Sequence, residues 1–503
     1  MHESVSELIK PGKLTFLDFE FFEGEFLNES IAKDISIANF EYYVTSVDMK
    51  EKDFSDTGYI ALTSERISVA LEREKRWRDG NLVVAAHPDR FAMLITETPI
   101  MELSDKLPQF IVPDTWEFMH QVGSYLREGT SIPVVAITGS VGKTSTRVMI
   151  QHILEEDFQV LSNNDNHNTR IAIPLYMTKM VQSPDVLSLE VSLNALNDRG
   201  KGPQSTFIQP TISLITAIGE AHMSTMSDLN GLARFKANVF KGLTGDKIAI
   251  INKDIASEQL NLIMDVAKEK ANEIFTYSLT DFSADLYLVS MKELKDLTEV
   301  TVSFKGELYT YYLGLGSHGM VQNSLAVLLV LFSLNLDIDK YLPRFLTFRS
   351  LPKIMERKRG YIDGKKVDII DDTHNAAIPS MINGISEFTN KVSYYSGKKI
   401  LALGQVADLG KYAKELHKEL LPYINNSGAD ILLGYGEEMK DVVLNCSIPA
   451  QWFEDMDTYV GTIKSHLTSN SLILLKGSVS GSDYNKISSR LDAELIRSLD
   501  EEV

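Results

Sequence analysis

The stretch VVAITGSVGKTSTRVMI (residues 134–150) decides the reading of this chain. An apolar run suited to a buried strand leads into Gly139-Ser140-Val141-Gly142-Lys143-Thr144-Ser145, and a helical pattern follows. Glycines in such a loop let backbone N–H groups turn inward around phosphate oxygens, and the N-terminus of the following helix adds positive potential. Lys143 is placed to reach β/γ-phosphates and the Thr144 hydroxyl to ligate Mg²⁺. The pattern is a shortened GxxGKT form of the phosphate loop, and its setting between strand and helix points to nucleotide binding. The other reading is a glycine-rich turn with an incidental lysine.

Outward from this loop the same texture repeats. IPVVAIT, FQVLS, DVLSLEV, PTISLITAI and DKIAIIN are short apolar runs separated by helical patterns, which predicts a parallel sheet covered on both faces. A second series, VDIIDD, KKILALG, ADILLGY and SLILLKG, predicts another α/β domain after Lys366. The N-terminal part mixes acidic loops with runs read as short strands, NLVVAAH and FAMLIT. The expected architecture is therefore α/β in three domains. A mixed N-terminal domain spans 1–129, a P-loop ATPase-type parallel-sheet domain 130–349, and a Rossmann-like domain 350–503. The join at residues 344–366, RFLTFRSLPKIMERKRGYIDGKK, holds eight basic and two acidic residues. It reads either as a solvated linker or as a source of cations for a phosphate lying between the domains.

Composition narrows the function. The chain has 503 residues, 44% hydrophobic and 24% charged, with a formal net charge of −19. So acidic a surface repels polyanions and argues against nucleic-acid partners. The single Cys446 excludes an internal disulfide framework or a clustered thiolate metal site. No secretory pattern opens the sequence, and the apolar run LAVLLVLFSLNL (residues 325–336) is too short to span a bilayer. It reads as a buried helix, and the expected location is cytoplasmic.

Several segments together resemble the Mur ligase family, the ATP-dependent amide-forming enzymes of peptidoglycan assembly. They are TGSVGKTSTRVM, NDNHNTRIAIPLYM (residues 164–177), AIGEAHMSTMSDLNGLARFKANVF (217–240), IIDDTHNAAIPSM (369–381), ALGQVADLGKYAKELHKEL (402–420) and LLKGS (474–478), in family order. Within the family the likeness is greatest to the branch that adds D-alanyl-D-alanine to a UDP-muramyl tripeptide. The resemblance implies catalytic roles for Lys143, Glu190, His222 and Lys236. Glu190 and His222 correspond to Mg²⁺ ligands beside Thr144, and Lys236 to a lysine that CO₂ converts to a carbamate able to hold a second Mg²⁺. Asn323 corresponds to an adenine contact, Arg357 to a contact of the ATP phosphates and Asp372 to an acid near the ribose. Asn375, His417 and Lys476 lie in family-like segments without an assigned role. Read alone, Glu190 is a strand-end acid, His222 a surface or core histidine, Lys236 a helix-surface lysine and Asn323 an N-terminal helix residue.

The implied cofactors are ATP and Mg²⁺. The implied partners are a small-molecule carboxylate and an amino acid or dipeptide; the oligomeric state stays open, a monomer being the favoured form. Departures are concentrated in the N-terminal region, where TSVDMKEKDFSDTGYIAL (residues 45–62) lacks the family's DSR-like triplet. NDRGKGPQSTF replaces a Gly-Glu-Ile segment, His374 stands for Tyr and Gln405 for Asp. Three alternatives remain open on sequence: a Mur-type ligase joining an amino acid or peptide to a non-UDP carboxylate, an inactive nucleotide-binding regulatory relative, and a generic P-loop ATPase.

Overall fold

Three large sheets, beside a two-stranded pairing of Leu14–Thr15 with Ser36–Ile37, follow one another along the chain in the computed structural model, which describes residues 12–164, 167–219, 228–314, 317–478 and 482–496. The first has five strands in the order Glu25–Phe26, Gln109–Ile111, Met93–Thr96, Thr57–Ile60 and Asn39–Glu41; the pairing of Glu25–Phe26 is antiparallel and the rest are parallel. Helix Thr115–Glu128 closes this region, capped by Asp114, whose carboxylate accepts from the Trp116 and Glu117 N–H groups. NLVVAAH is not a strand. Gly80–Ala86 is a helix, with the Asp79 side chain accepting from Asn81 N–H at its start and the adjacent Val83 and Val84 both buried. The run lacks the period-2 alternation that separates strand from helix, and an N-cap decides it.

The central sheet has nine strands. Six of them, Val134–Thr138, Val160–Ser162, Val186–Glu190, Ile212–Ile215, Ile248–Asn252 and Glu273–Ser278, are parallel, as their continuous apolar runs predict. Leu286–Glu293 then joins parallel to Glu273–Ser278, and Thr298–Phe304 and Glu307–Leu313 extend the sheet antiparallel, an extension the sequence reading did not contain. Helix His318–Ser333 carries the longest apolar run; Leu325 to Leu331 are completely buried, so it is apolar all round because it has no solvent face. Among the described residues no helix is long and apolar enough to cross a membrane.

The third sheet has six strands, Glu356–Ile362, Lys365–Asp372, Ser471–Lys476, Lys399–Gly404, Ile431–Tyr435 and Ala450–Phe453 in spatial order, parallel except for the first. Its contact with the central domain is partly polar. The turn after Leu286–Glu293 reaches across: Asn390 Nδ2 donates to Glu293 Oε1 at 2.5 Å and Lys391 Nζ to the Leu294 carbonyl at 2.7 Å. Glu387, on the same helix Ile378–Lys391, is fully buried with neither carboxylate oxygen hydrogen-bonded among the described residues.

Candidate functional site

Strands Val134–Thr138, Val186–Glu190 and Ile212–Ile215 are parallel neighbours, so their C-terminal ends deliver three loops to one edge, where ligands bind in open α/β sheets. Gly139 to Gly142 form the first. Gly142 has φ +87°, a left-handed conformation that glycine adopts without strain, and a Cβ there would meet Asn323 Oδ1 at 2.5 Å. The segment after Ile212–Ile215 braces the loop: Thr216 Oγ1 donates to the Val141 carbonyl at 2.5 Å, and Ser140 N–H donates to the Ala217 carbonyl at 2.8 Å. Helix Lys143–Leu154 then starts with its free N–H groups facing the loop.

Glu190 ends the third strand and is buried. Its Oε2 accepts from Thr144 Oγ1 at 2.7 Å and its Oε1 from Asn168 Nδ2 at 2.7 Å. Asn163 fixes its backbone in both directions: Nδ2 donates to the Glu190 carbonyl at 2.8 Å, and Glu190 N–H donates to Oδ1 at 2.9 Å. Asn163 and Asn168 are site residues that reading the sequence did not single out, although the Asn-rich segment was the available signal.

Lys236 lies on helix Leu229–Ala237 and is 1% exposed. Its Nζ donates to the Gly139 carbonyl at 2.8 Å, the same oxygen that accepts from Lys143 Nζ at 2.9 Å. Burial first, and the Lys143 charge second, hold the Lys236 amine well below the ordinary lysine range, against the pull of Glu190. It is therefore not the surface lysine that its helical spacing allows.

These groups face a cavity of about 450 Å³ between the central and C-terminal domains. Ser140 to Ser145, Glu190, Lys236 and Asn323 line one side, and Asp372, His374, Asn375 and Lys476 the other. Asp372 is fixed in place: Lys476 Nζ reaches its Oδ2 at 2.5 Å and Met355 N–H donates to its Oδ1 at 3.1 Å. Lys476 also donates to the Asn375 carbonyl at 3.3 Å, which gives this buried lysine a clamping role beneath the cavity wall.

Of two further expected site residues, His222 lies outside the described residues. Arg357 is described, and it does not line the cavity. Its guanidinium bonds Asp368 at 2.6 to 3.0 Å, the Tyr395 hydroxyl at 2.7 Å, and, across the domain boundary, the Lys295 carbonyl and Asp296 Oδ1 at 3.0 Å each. Four cations of the basic join, Arg344, Arg357, Lys358 and Arg359, pair with carboxylates instead of being solvated or lining the cavity. Arg344 pairs with Asp157 at 2.7 Å, and Lys358 with Asp371 and Asp492 at 2.7 Å each. Excess cations in this segment answer acids on neighbouring elements, which charge counting cannot locate.

His417 also stays out of the cavity but acts on its wall. Val406 N–H donates to His417 Nε2 at 2.9 Å, and Nδ1 faces the Ala413 carbonyl at 2.7 Å. With Nε2 accepting, the proton sits on Nδ1, and burial pushes the imidazole pKa down and keeps the ring neutral.

Residues 137–331 match the Mur ligase middle domain, and residues 355–479 match the Mur ligase, glutamate ligase domain. The chain belongs to the Mur ligase family. Among curated relatives, the UDP-N-acetylmuramoyl-tripeptide–D-alanyl-D-alanine ligase of Rickettsia prowazekii is 26% identical over 460 residues, covering 89% of this chain and 95% of that protein. The ligase of the same name from Bacillus subtilis is 28% identical over 382 residues, covering 75% and 78%. A crystal structure of MurF from Acinetobacter baumannii superposes with a TM-score of 0.77 at 18% identity, covering 95% of this chain and 98% of that one. MurF from Thermotoga maritima, crystallised with ADP, gives 0.70 at 19% identity over 91% and 97%. The architecture is accordingly the three-domain Mur ligase fold, N-terminal region included.

That N-terminal region holds a second cavity of about 430 Å³. Thr45, Ser46, Met49 and Lys50, from the segment lacking the DSR-like triplet, line it together with Arg78, His87 and Arg90.

Proposed function

We propose that this Mur ligase is an ATP-dependent carboxylate–amine ligase of the D-alanyl-D-alanine-adding type, acting on a UDP-muramyl tripeptide through an acyl phosphate. The observation that carries the reading is the cavity in which the phosphate loop, Glu190 and Lys236 of one domain face Asp372, Asn375 and Lys476 of the next. The names of the curated relatives, which extend over nearly the whole chain, support the substrate class. The cations around the second cavity, Lys50, Arg78 and Arg90, suit a diphosphate and support a UDP-linked acid despite the altered segment.

Amide formation from a carboxylate needs activation. A carboxylate oxygen attacks the γ-phosphorus, the bond to the ADP oxygen breaks, and an acyl phosphate forms. The amine nitrogen then attacks the carbonyl carbon, loses a proton, and phosphate departs with the former carboxylate oxygen. The first step brings two anions together, so the site must supply positive charge fixed in advance. Lys143, held here by the Gly139 and Ser140 carbonyls at 2.9 and 3.4 Å, is the ammonium that turns to the β/γ-phosphate oxygens. Backbone N–H groups of the loop and the helix N-terminus orient the phosphates. Lys476 and Asp372 fix the facing wall, and closure of that wall excludes water from the acyl phosphate.

The residues present fit Mg²⁺. Thr144 Oγ1 and Glu190 Oε2 are hard oxygen donors 2.7 Å apart, and among the described residues no group of three His, Cys, Asp or Glu is placed to hold a metal ion. So sparse a donor set suits an ion that keeps waters and phosphate oxygens as its other ligands. Thr144 and Glu190 would hold the ion, with His222 as the family pattern implies; when bound it neutralises charge on the transferring phosphoryl group. Lys236, whose amine burial holds well below the ordinary lysine range, is the residue that would take up CO₂ as the family pattern implies, since CO₂ adds only to a neutral amine; a carbamate and a released proton would result, and the anion would add to the oxygen donors for the ion.

Phosphate release from ATP, measured with UDP-N-acetylmuramoyl-tripeptide and D-alanyl-D-alanine added singly and together, tests the reading. Full turnover is expected only with both. Release without either would mark a plain ATPase, and release only with a non-UDP acid would move the substrate while keeping the ligase.

A further inference from the structure

Three carboxylates line the main cavity. Glu190 is engaged by Thr144 and Asn168, and Asp372 by Lys476 and the Met355 N–H. Asp408 is different: it is exposed, and no hydrogen bond or ion pair engages its carboxylate among the described residues. It stands on the C-terminal-domain side, opposite the phosphate loop.

The chain goes to some length to present it. Asp408 has φ +60°, a left-handed backbone that aspartate tolerates better than most side chains. The loop before it is fixed. Gln405 O accepts from Ser478 N–H at 3.0 Å, Val406 N–H donates to His417 Nε2 at 2.9 Å, and Ala407 N–H donates to Ser478 Oγ at 2.9 Å. Three successive residues before Asp408 are thus tied to a buried histidine and a buried serine. Val406, Ala407 and Leu409 line the cavity beside it.

An amine nucleophile arrives in water as an ammonium ion. Lys143 on the phosphate side of this cavity answers the phosphates, and among the described lining carboxylates Asp408 is the one left for a cation. An unpaired carboxylate on the facing wall supplies the attraction that brings the ammonium in and aims its nitrogen at the carbonyl carbon. We propose that Asp408 receives the ammonium group of the incoming amine, and that His417, through Val406 N–H, is the positioning residue for the loop that carries it. This rests on the ligase reading above.

Steady-state kinetics of the full chain test it, with D-alanyl-D-alanine varied and UDP-N-acetylmuramoyl-tripeptide and ATP saturating. Asp408→Asn keeps the shape and removes the charge. It should raise the KM for the dipeptide by about tenfold to a hundredfold, the scale of one charged hydrogen bond, with the KM for ATP within about twofold of wild type. His417→Leu should move the dipeptide KM in the same direction, and His417→Asn, which retains an acceptor for Val406 N–H, should recover part of the loss. A dipeptide KM within about twofold of wild type in Asp408→Asn overturns the assignment, as does an equal rise in the KM for ATP. An unaltered dipeptide KM in His417→Leu overturns the positioning role. Wild-type protein that forms no amide from these substrates refutes the ligase reading itself, and this proposal with it.

Discussion

Replacing Arg357 with alanine separates two accounts of the basic join. If Arg357 held ATP phosphates, its loss would act on nucleotide affinity. The structure instead makes it a strut. Its side chain is 13% exposed, it grips Asp368 (7% exposed) through both Nε and a terminal nitrogen, and it crosses to Lys295 and Asp296 of the central domain. Removing one member of a buried ion pair costs about 3–5 kcal/mol, because the other charge stays buried and unanswered. Here Asp368 keeps Arg359 Nε at 3.1 Å and the Tyr395 hydroxyl, which reduces the loss to roughly 2–3 kcal/mol on the same reasoning. The exposed contacts to the central domain add about 1 kcal/mol at most. At about 2–4 °C per kcal/mol for a domain of this size, the C-terminal transition in differential scanning calorimetry should fall by roughly 5–15 °C. The KM for ATP, measured below that transition, should stay within about threefold of wild type. An unshifted transition together with a loss of ATP affinity of tenfold or more, about 1.4 kcal/mol, would refute the strut and return Arg357 to the phosphates.

Lys143→Ala should abolish turnover, read as phosphate release, since no other cavity ammonium sits on the phosphate loop's own helix. Lys236→Ala should also lose turnover, and small carboxylic acids should restore part of it by replacing the carbamate; a fully active variant without rescue contradicts the assignment. Glu387 gives a pH-dependent prediction. Burial pushes its carboxyl pKa up to about 7, Lys391 opposes the shift, and Glu293 reinforces it. A carboxyl with a raised folded-state pKa holds its proton more tightly when folded, so its burial is tolerated near pH 4.5 and destabilises increasingly as pH rises through 7. Glu387→Gln should therefore be more stable than wild type at pH 8, by at most about 3 kcal/mol. The gain should shrink toward zero near pH 4.5, as thermal unfolding across that range would reveal.

What could be read from the sequence was what is local. The strand–loop–helix around Gly139 to Thr144 and the apolar strands of the two large sheets are contiguous signals, and each strand of those two series appears where its run stands. The antiparallel extension from Leu286 to Leu313 was not read, because its strands mix exposed and buried residues at the sheet edge and make no apolar run. Gly80–Ala86 was misread because a short apolar run carries no period of its own. Side-chain partners are non-local. Arg357 and Asp368 are only 11 residues apart, yet it is the antiparallel pairing of Glu356–Ile362 with Lys365–Asp372, and the turn at Asp296, that decide where that guanidinium points. Asn168 and Asp408 became site residues only when Glu190 and the cavity were in place around them.

An acid activated by phosphoryl transfer before nitrogen captures it gives up one of its own oxygens. Oxygen-18 placed in the reacting carboxylate of UDP-N-acetylmuramoyl-tripeptide follows that oxygen. One labelled oxygen is expected in each phosphate released during amide formation with D-alanyl-D-alanine, because the bridging oxygen of the acyl phosphate leaves with phosphorus. Unlabelled phosphate accompanying amide product would contradict it.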